Sequence, residues 1–229
     1  MQIGEIVKDV TPALLPRRQT LQGRFVSIES LEVAHADALY EGTHGGDRDE
    51  VWRYLFEGPI PDRSSFDAHL QMQASSADPL FFAIVDRTSR RAVGQAAYLR
   101  AEPVHKVIEV GHIIFTPELQ RTAGATESMF LMAQHVFDLG YRRYEWKCNA
   151  MNAPSVRAAR RLGFTFEGIF RQHMIVKGRN RDSAWFSMLD TEWPNRKANF
   201  EHWLDPNNFD QHGRQRVSLT ELNASTSKN

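Results

Sequence analysis

The sequence predicts an α/β domain on a mixed, mostly antiparallel central sheet, flanked by helices and carrying an arm at each end. Three observations carry that expectation. The composition, 41% hydrophobic and 24% charged over 229 residues, is that of an ordinary soluble globular chain. Three apolar runs of strand length, residues 80–86, 92–101 and 107–115, follow one another with connections too short for a crossover helix. From residue 124 onward, stretches of helical period alternate with strand-like ones.

The elements follow in order. Residues 1–20 hold Pro12 and Pro16 without periodicity and predict a surface arm with at most one strand. Residues 23–29 predict a first strand. Residues 31–40 are apolar at 31, 33, 34, 36, 38 and 39, with Ser30 in place to cap, so they predict a helix. Residues 42–49 predict a loop, and 51–56 a short helix ending before the Gly58-Pro59 breaker. Ser64 or Ser65 caps a further helix bearing Phe66, His69, Leu70 and Met72. A hairpin follows, 80–86 and 92–101 across the turn 87–90, and then the strand 107–115. Residues 124–139 predict a helix closed by Gly140. Residues 141–148 alternate Tyr144, Trp146 and Cys148 against Arg143, Glu145 and Lys147, the period of a half-buried strand. Residues 153–162 predict a short helix, capped by Asn152, with Pro154 in its first turn and Gly163 as its stop. Residues 164–176 and 182–190 predict a closing hairpin across 178–181. Trp193, Phe200, Trp203 and Leu204 fall at helical spacing and predict a docked C-terminal helix, on the domain's own core or on a partner's. Residues 213–229 are polar and predict a frayed tail.

Composition excludes several classes. Lys+Arg and Asp+Glu both number 28, so there is no basic excess of the kind that marks a nucleic-acid binder. No apolar run reaches the length of a membrane span. The opening Met-Gln-Ile-Gly-Glu is not that of a secretory signal, and the single Cys148 fits a reducing cytoplasm. P-loop and dinucleotide glycine fingerprints are absent, as are an HExxH pair and a nucleophile elbow. The histidines are scattered and one cysteine makes no zinc site, so no metal is expected.

The centre of the chain is more informative. Gln120-Arg-Thr-Ala-Gly-Ala-Thr126 joins a predicted buried strand to a predicted helix start. A small-residue turn there leaves backbone N–H groups without partners at the positive end of a helix, which is an anion site. A second helix start, Asn152-Ala-Pro-Ser155, follows about thirty residues later and leads to Gly163-Phe164. Two such elements in this order suit an extended, phosphate-bearing cofactor.

These motifs resemble those of the GCN5-related N-acetyltransferase (GNAT) superfamily. Its Q/R-x-x-G-x-G/A turn, which binds the pyrophosphate of acetyl-CoA, is met at Gln120 and Ala125, with Ala123 where the family prefers glycine. Asn152-x-x-Ser155 with Gly163-Phe164 looks like the family's motif on the next helix, and the Thr126-Glu127 pair and the closing hairpin look most like the RimJ/RimL branch. The resemblance covers about residues 20–190. It implies an arm (1–20), an acetyl-CoA-dependent N-acetyltransferase domain (21–190) and a C-terminal helical extension (191–229). It also implies two splayed central strands, 107–115 and 141–148, with the pantetheine arm lying between them. The implied acetyl-CoA contacts are Ile113, Phe115, Gln120, Arg121, Thr122, Ala123, Gly124, Ala125, Thr126, Asn152 and Ser155. No metal, nucleic acid or membrane is implied. The acceptor would be a primary amine, of a small molecule or a peptide N-terminus, attacking directly in a ternary complex. A homodimer remains open. The alternative function is a weakly catalytic acyl-CoA sensor.

Individual roles carry alternatives. Glu109 interrupts an apolar strand 11 residues before Gln120; it is either the base that accepts the ammonium proton or one half of a buried ion pair. His112 is an ordinary strand residue unless a bulge re-aims it. The family's thiolate-protonating tyrosine falls at Ala159, so Ser155 inherits that role, or else only caps its helix. Trp52, Tyr54, Arg171 and His173 line an acceptor slot, or are core and solvated face. Cys148 beside the slot makes an acyl-enzyme route conceivable, without an adjacent histidine to activate it.

Overall fold

The computed structural model describes residues 4–226. Eight strands form one sheet: β1 (Leu21–Gln22), β2 (Val26–Ser30), β3 (Leu80–Asp86), β4 (Ala92–Glu102), β5 (Val107–Phe115), β6 (Arg143–Asn149), β7 (Thr165–Val176) and β8 (Arg179–Leu189). Their spatial order is β1-β2-β3-β4-β5-β6-β8-β7. Every neighbouring pair is antiparallel except β5 and β6. That parallel pair is joined by the crossover helix α3 (Ala123–Asp138), as parallel strands require.

Two layers of helix bury the two faces. Helices α1 (Ala36–Thr43) and α2 (Arg63–Ser75) cover Phe81, Ala83, Ala97 and Ile114. Helix α3, with α4 (Ala153–Arg161), α5 (Trp193–Leu204) and α6 (Leu219–Thr226), covers Ile108, Val110, Tyr144 and Phe186. Rings of Trp193 and Phe200 pack on Phe130 and Phe137 of α3, so the C-terminal aromatics close the chain's own core.

Several boundaries differ from expectation, each for a local reason. The first helix does not begin at Ser30: Glu32 and His35 form a capping box around a 3₁₀ turn, Val33–His35, and α1 then runs on through Gly42 to Thr43. The expected loop 42–49 and short helix 51–56 are replaced by a single 3₁₀ turn, Gly46–Trp52, followed by turns and bends up to Gly58. Asp62, not Ser64 or Ser65, caps α2 by accepting from the Ser65 N–H at 2.8 Å. Strand β2 starts late because residues 23–25 are held in a turn on Glu127. The last hairpin turns at Lys177-Gly178, both at positive φ, so β8 begins at Arg179 rather than Asp182. The tail is not wholly frayed: Leu219 is fully buried, and the Asn223 amide donates to the Arg161 carbonyl at 2.9 Å.

Candidate active site

Strands β5 and β6 pair only from Val107–Val110 against Arg143–Trp146. Beyond that point β5 bonds only to β4 and β6 only to β8, so the two strands part. A bulge in β5 accompanies the parting. His112 and Ile113 together stand opposite Ala96, and His112 adopts φ 48°. One extra residue reverses strand parity. Ile108 and Val110 face α3 before the bulge; Ile113 and Phe115 do so after it, and Ile114 turns to the α1/α2 side.

The loop after β5 leads into the α3 N-terminus. Leu119 and Gln120 donate backbone N–H groups to Thr116, and the Gln120 amide braces the Phe115 carbonyl at 2.9 Å. The chain turns at Arg121 (φ 63°), and Thr122 caps α3 by accepting from Ala125 N–H at 3.2 Å. Ala123 and Gly124 are then the first two helical residues, whose N–H groups have no acceptor among the described residues at the positive helix end. The family's glycine is therefore dispensable at Ala123, which is helical; the left-handed residue is Arg121. Gly124 has a packing reason instead: a Cβ there would stand 3.0 Å from Val26 Cγ1. Thr126 is buried and accepts from Arg161 Nη1 at 3.0 Å, so it ties α3 to α4.

Helix α4 starts beside the same opening. Asn152 Oδ1 accepts from Ser155 N–H at 3.1 Å, and Ser155 Oγ accepts from the Trp146 indole at 3.0 Å. The Ser155 hydroxyl also reaches Cys148, whose thiol is pushed up chiefly by burial. Ala159, where the family's tyrosine would lie, is fully buried.

On the α1/α2 side of the opening lies a group of charges. Glu109 is only 2% exposed and forms an ion pair with Arg100 of β4; Lys147 Nζ of β6 stands 3.9 Å away. Arg100 is itself the extra residue of a second bulge, at φ 49°, opposite the Ile108–Glu109 stretch. Burial pulls Lys147 down to about 8, assisted by Arg100 and Arg181. His112, between Phe56 and Phe81, is lowered from its ordinary value, first by burial. Glu109 thus has the ion pair that was one of its two readings, and His112 has the bulge that re-aims it.

The remaining acceptor-side residues separate. Trp52 is a core residue, its indole N–H bonded to the Thr43 carbonyl at 2.8 Å. Tyr54 reaches across to the Met151 carbonyl at 3.2 Å, bridging the α1–α2 connection to the start of α4. Arg171 is exposed on edge strand β7, whereas His173 is half-buried and bonds Ser183 at 2.9 Å. A cavity of about 660 Å³ lies between α1 and the α3 start; Thr122, Ala123 and Gly124 line it, and the Arg48–Glu118 and Arg91–Glu41 ion pairs stand on its wall. Among the described residues no group of three or more His, Cys, Asp or Glu could hold a metal, and no helix is long and apolar enough to cross a membrane.

Two groups escaped the sequence reading. Glu127 accepts from the backbone N–H groups of Arg24, Phe25 and Val26 at 2.7, 2.7 and 2.9 Å. Arg181 of β8 is 95% buried, its guanidinium carbon 4.9 Å from the Phe56 ring. A buried charge is the one signal that hydropathy alone never displays.

Comparison with known proteins agrees with this geometry. The family model described as Acetyltransferase (GNAT) domain matches residues 26–165. The crystal structure of a GCN5-related N-acetyltransferase from Brucella melitensis is 47% identical, with TM-score 0.93, over 95% of this chain and all of that one. A GNAT-family structure from Chromobacterium violaceum is 38% identical, with TM-score 0.79, over 85% of this chain and 98% of that one. RimL, a ribosomal L7/L12 alpha-N-protein acetyltransferase, is 19% identical with TM-score 0.64 over 77% of this chain and 99% of its own, a likeness of fold alone. With its sheet parted at Val110 and Trp146, a free helix N-terminus at the end of β5, and a domain match over residues 26–165, the chain belongs to the GNAT acetyltransferase family.

Proposed function

We propose that this chain transfers an acetyl group from acetyl-CoA to a primary amine by direct attack. The observation that carries the reading is the parting of β5 and β6 next to the free N–H groups of Ala123 and Gly124. Acetyl-CoA, when bound, supplies the acetyl group as an activated thioester. Arg121, exposed and with no ion-pair partner among the described residues, adds a positive charge beside the helix end for the pyrophosphate. The β5 backbone past Val110 lies along the opening. Ile113, in the bulge and outside the regular ladder, offers its N–H to the carbonyl oxygen that gains charge during attack.

Proton traffic falls to three side chains. Glu109 accepts the ammonium proton through water. His112, kept neutral by burial between Phe56 and Phe81, is the second acceptor on β5. Ser155 takes the indole N–H on its oxygen, and its hydroxyl, which also reaches Cys148, is the donor that protonates the departing thiolate. This serine is the feature shared with the RimJ/RimL branch. An acyl-enzyme on Cys148 is disfavoured because burial keeps its thiol protonated.

The test is thiol release by the full chain with acetyl-CoA and a panel of amines and N-terminal peptides, beside calorimetric titration of CoA. Acceptor-dependent release, cut about 10²–10⁴-fold at neutral pH in Glu109→Gln with CoA affinity retained, is the expected result. CoA binding without release for any acceptor would favour the sensor; no CoA binding would overturn both.

A further inference from the structure

The charges on the acceptor side do not balance. Arg100, Lys147 and Arg181 converge there, and each lowers the tendency of another to hold its charge. Glu109 is the one carboxylate in an ion pair with them among the described residues, and Arg100 already occupies it, with Asp78 also beside Arg100. The nearest alternative, Glu145, is bound to Arg143 at 2.6 Å. Arg181 has no ion pair and no side-chain hydrogen bond among the described residues, and its Nε is fully buried without a partner. Lys147 Nζ likewise donates no hydrogen bond; its closest carboxylate oxygen is 3.9 Å off and its other neighbour is the Trp185 ring at 5.0 Å. The Trp185 indole N–H is a further buried donor without an acceptor. Buried donors and cations left open cost stability, and folds keep them open where a ligand completes them.

Their position says which ligand. Lys147 is the residue directly after Trp146, the last β6 residue paired with β5, so it stands where the opening begins. Arg181 and His112 share the Phe56 ring, which puts Arg181 across the same opening. The α3 N-terminus, by contrast, lies beyond the far end of β5, past Phe115.

The geometry points to an acceptor amine that carries its own carboxylate a few bonds from the nitrogen: an amino-acid-type substrate whose anion is held by Arg181 and Lys147, with the Trp185 N–H as third donor. A guanidinium fork and an ammonium suit a planar carboxylate. A peptide N-terminus has an amide at that position and would leave the cations unmatched. This inference rests on the acetyl-transfer reading and names the acceptor of that same site.

The experiment compares amino acids with their own carboxamides and with the matching decarboxylated amines, using the full chain and acetyl-CoA, with phosphoethanolamine as a phosphate-bearing arm. The expected result is a kcat/KM for acids at least about thirty-fold above that for the amides. Arg181→Met and Lys147→Met should erase that preference through KM, while CoA affinity and turnover of the amides stay within about three-fold. Because Arg181 has no ion pair among the described residues and Lys147 has only the 3.9 Å contact to Glu109, neither variant should lower the melting temperature. Equal use of acids and amides by the wild type, or preference for phosphoethanolamine, or for peptides regardless of their side chains, would overturn the inference. Arg181→Met reducing both substrate classes alike would do the same. Loss of CoA binding in the wild type would instead overturn the acetyl-transfer reading itself.

Discussion

Replacing Glu127 by alanine tests how the donor end of the site is held. Glu127 lies in the first turns of α3 and its carboxylate accepts three backbone N–H bonds from the turn before β2. Gly23 has no Cβ because one would lie 2.4 Å from Glu127 Oε2. A hydrogen bond to a charged acceptor contributes about 1.5–3 kcal/mol. The Val26 donor is buried and loses the full amount; Arg24 and Phe25 are part-buried, and water recovers about half of each. The sum is about 4 kcal/mol. For a chain of this length that lowers the melting temperature by roughly 8–16 °C. Glu127→Gln keeps one acceptor oxygen and should lose about half as much. The assay is a urea or thermal unfolding curve for the three proteins, with CoA titration beside it. Since α3 presents Ala123 and Gly124 from the same turn, CoA affinity should fall in parallel. A loss below about 1 kcal/mol for the alanine variant would refute the reasoning, because it would mean the turn finds other acceptors.

Further predictions follow from the proton and thiol chemistry. Ser155→Ala should lower kcat about 10–10²-fold while CoA affinity is retained; equal loss of affinity would mark Ser155 as a binding contact instead. Cys148→Ala should keep turnover, and the native thiol should resist alkylation at pH 7, as its raised value requires. A trapped acetyl-cysteine would reverse that reading. Lys147 is held down to about 8 by burial, against an ordinary 10.5. Below pH 8 both the folded and unfolded chains hold the proton and the fold bears the whole cost. Between 8 and 10.5 the unfolded chain binds more protons, so stability rises with pH. Wild type should therefore gain on Lys147→Met in urea midpoints measured from pH 7 to pH 10; parallel curves would show that the ammonium is not desolvated.

The strands and helices were readable because their periods are strong. Residues 80–86 and 107–115 appear as β3 and β5 with the same bounds. The loop at Gln120–Gly124 was legible too, since small residues between a strand and a helix have few other uses. What escaped lies in backbone conformations that composition does not encode. Arg100, His112 and Gln172 all adopt positive φ inside bulges without being glycine. The first two turn an arginine and a histidine toward the acceptor side, where an uninterrupted alternation would have put them elsewhere. Long-range polar anchors were equally hidden. Glu127 reads as a polar helix residue until its partners, about a hundred positions earlier, are brought beside it. The C-terminal tail was misread for the same reason: one buried leucine and one asparagine are enough to dock α6, and neither stands out in a polar stretch.

Arg161 deserves a mechanical reading. Its guanidinium reaches Thr126 in the first turn of α3 and stacks 4.8 Å over Trp203 of α5, while its carbonyl receives Asn223 of α6. One residue at the end of α4, through its side chain and its carbonyl, thus bolts together the helices whose opposite ends frame the donor groove. A cut that removes α6, or a fusion that pries it away, would be felt as slack at Ala123 and Ser155, far from the break in sequence yet one residue away in the linkage.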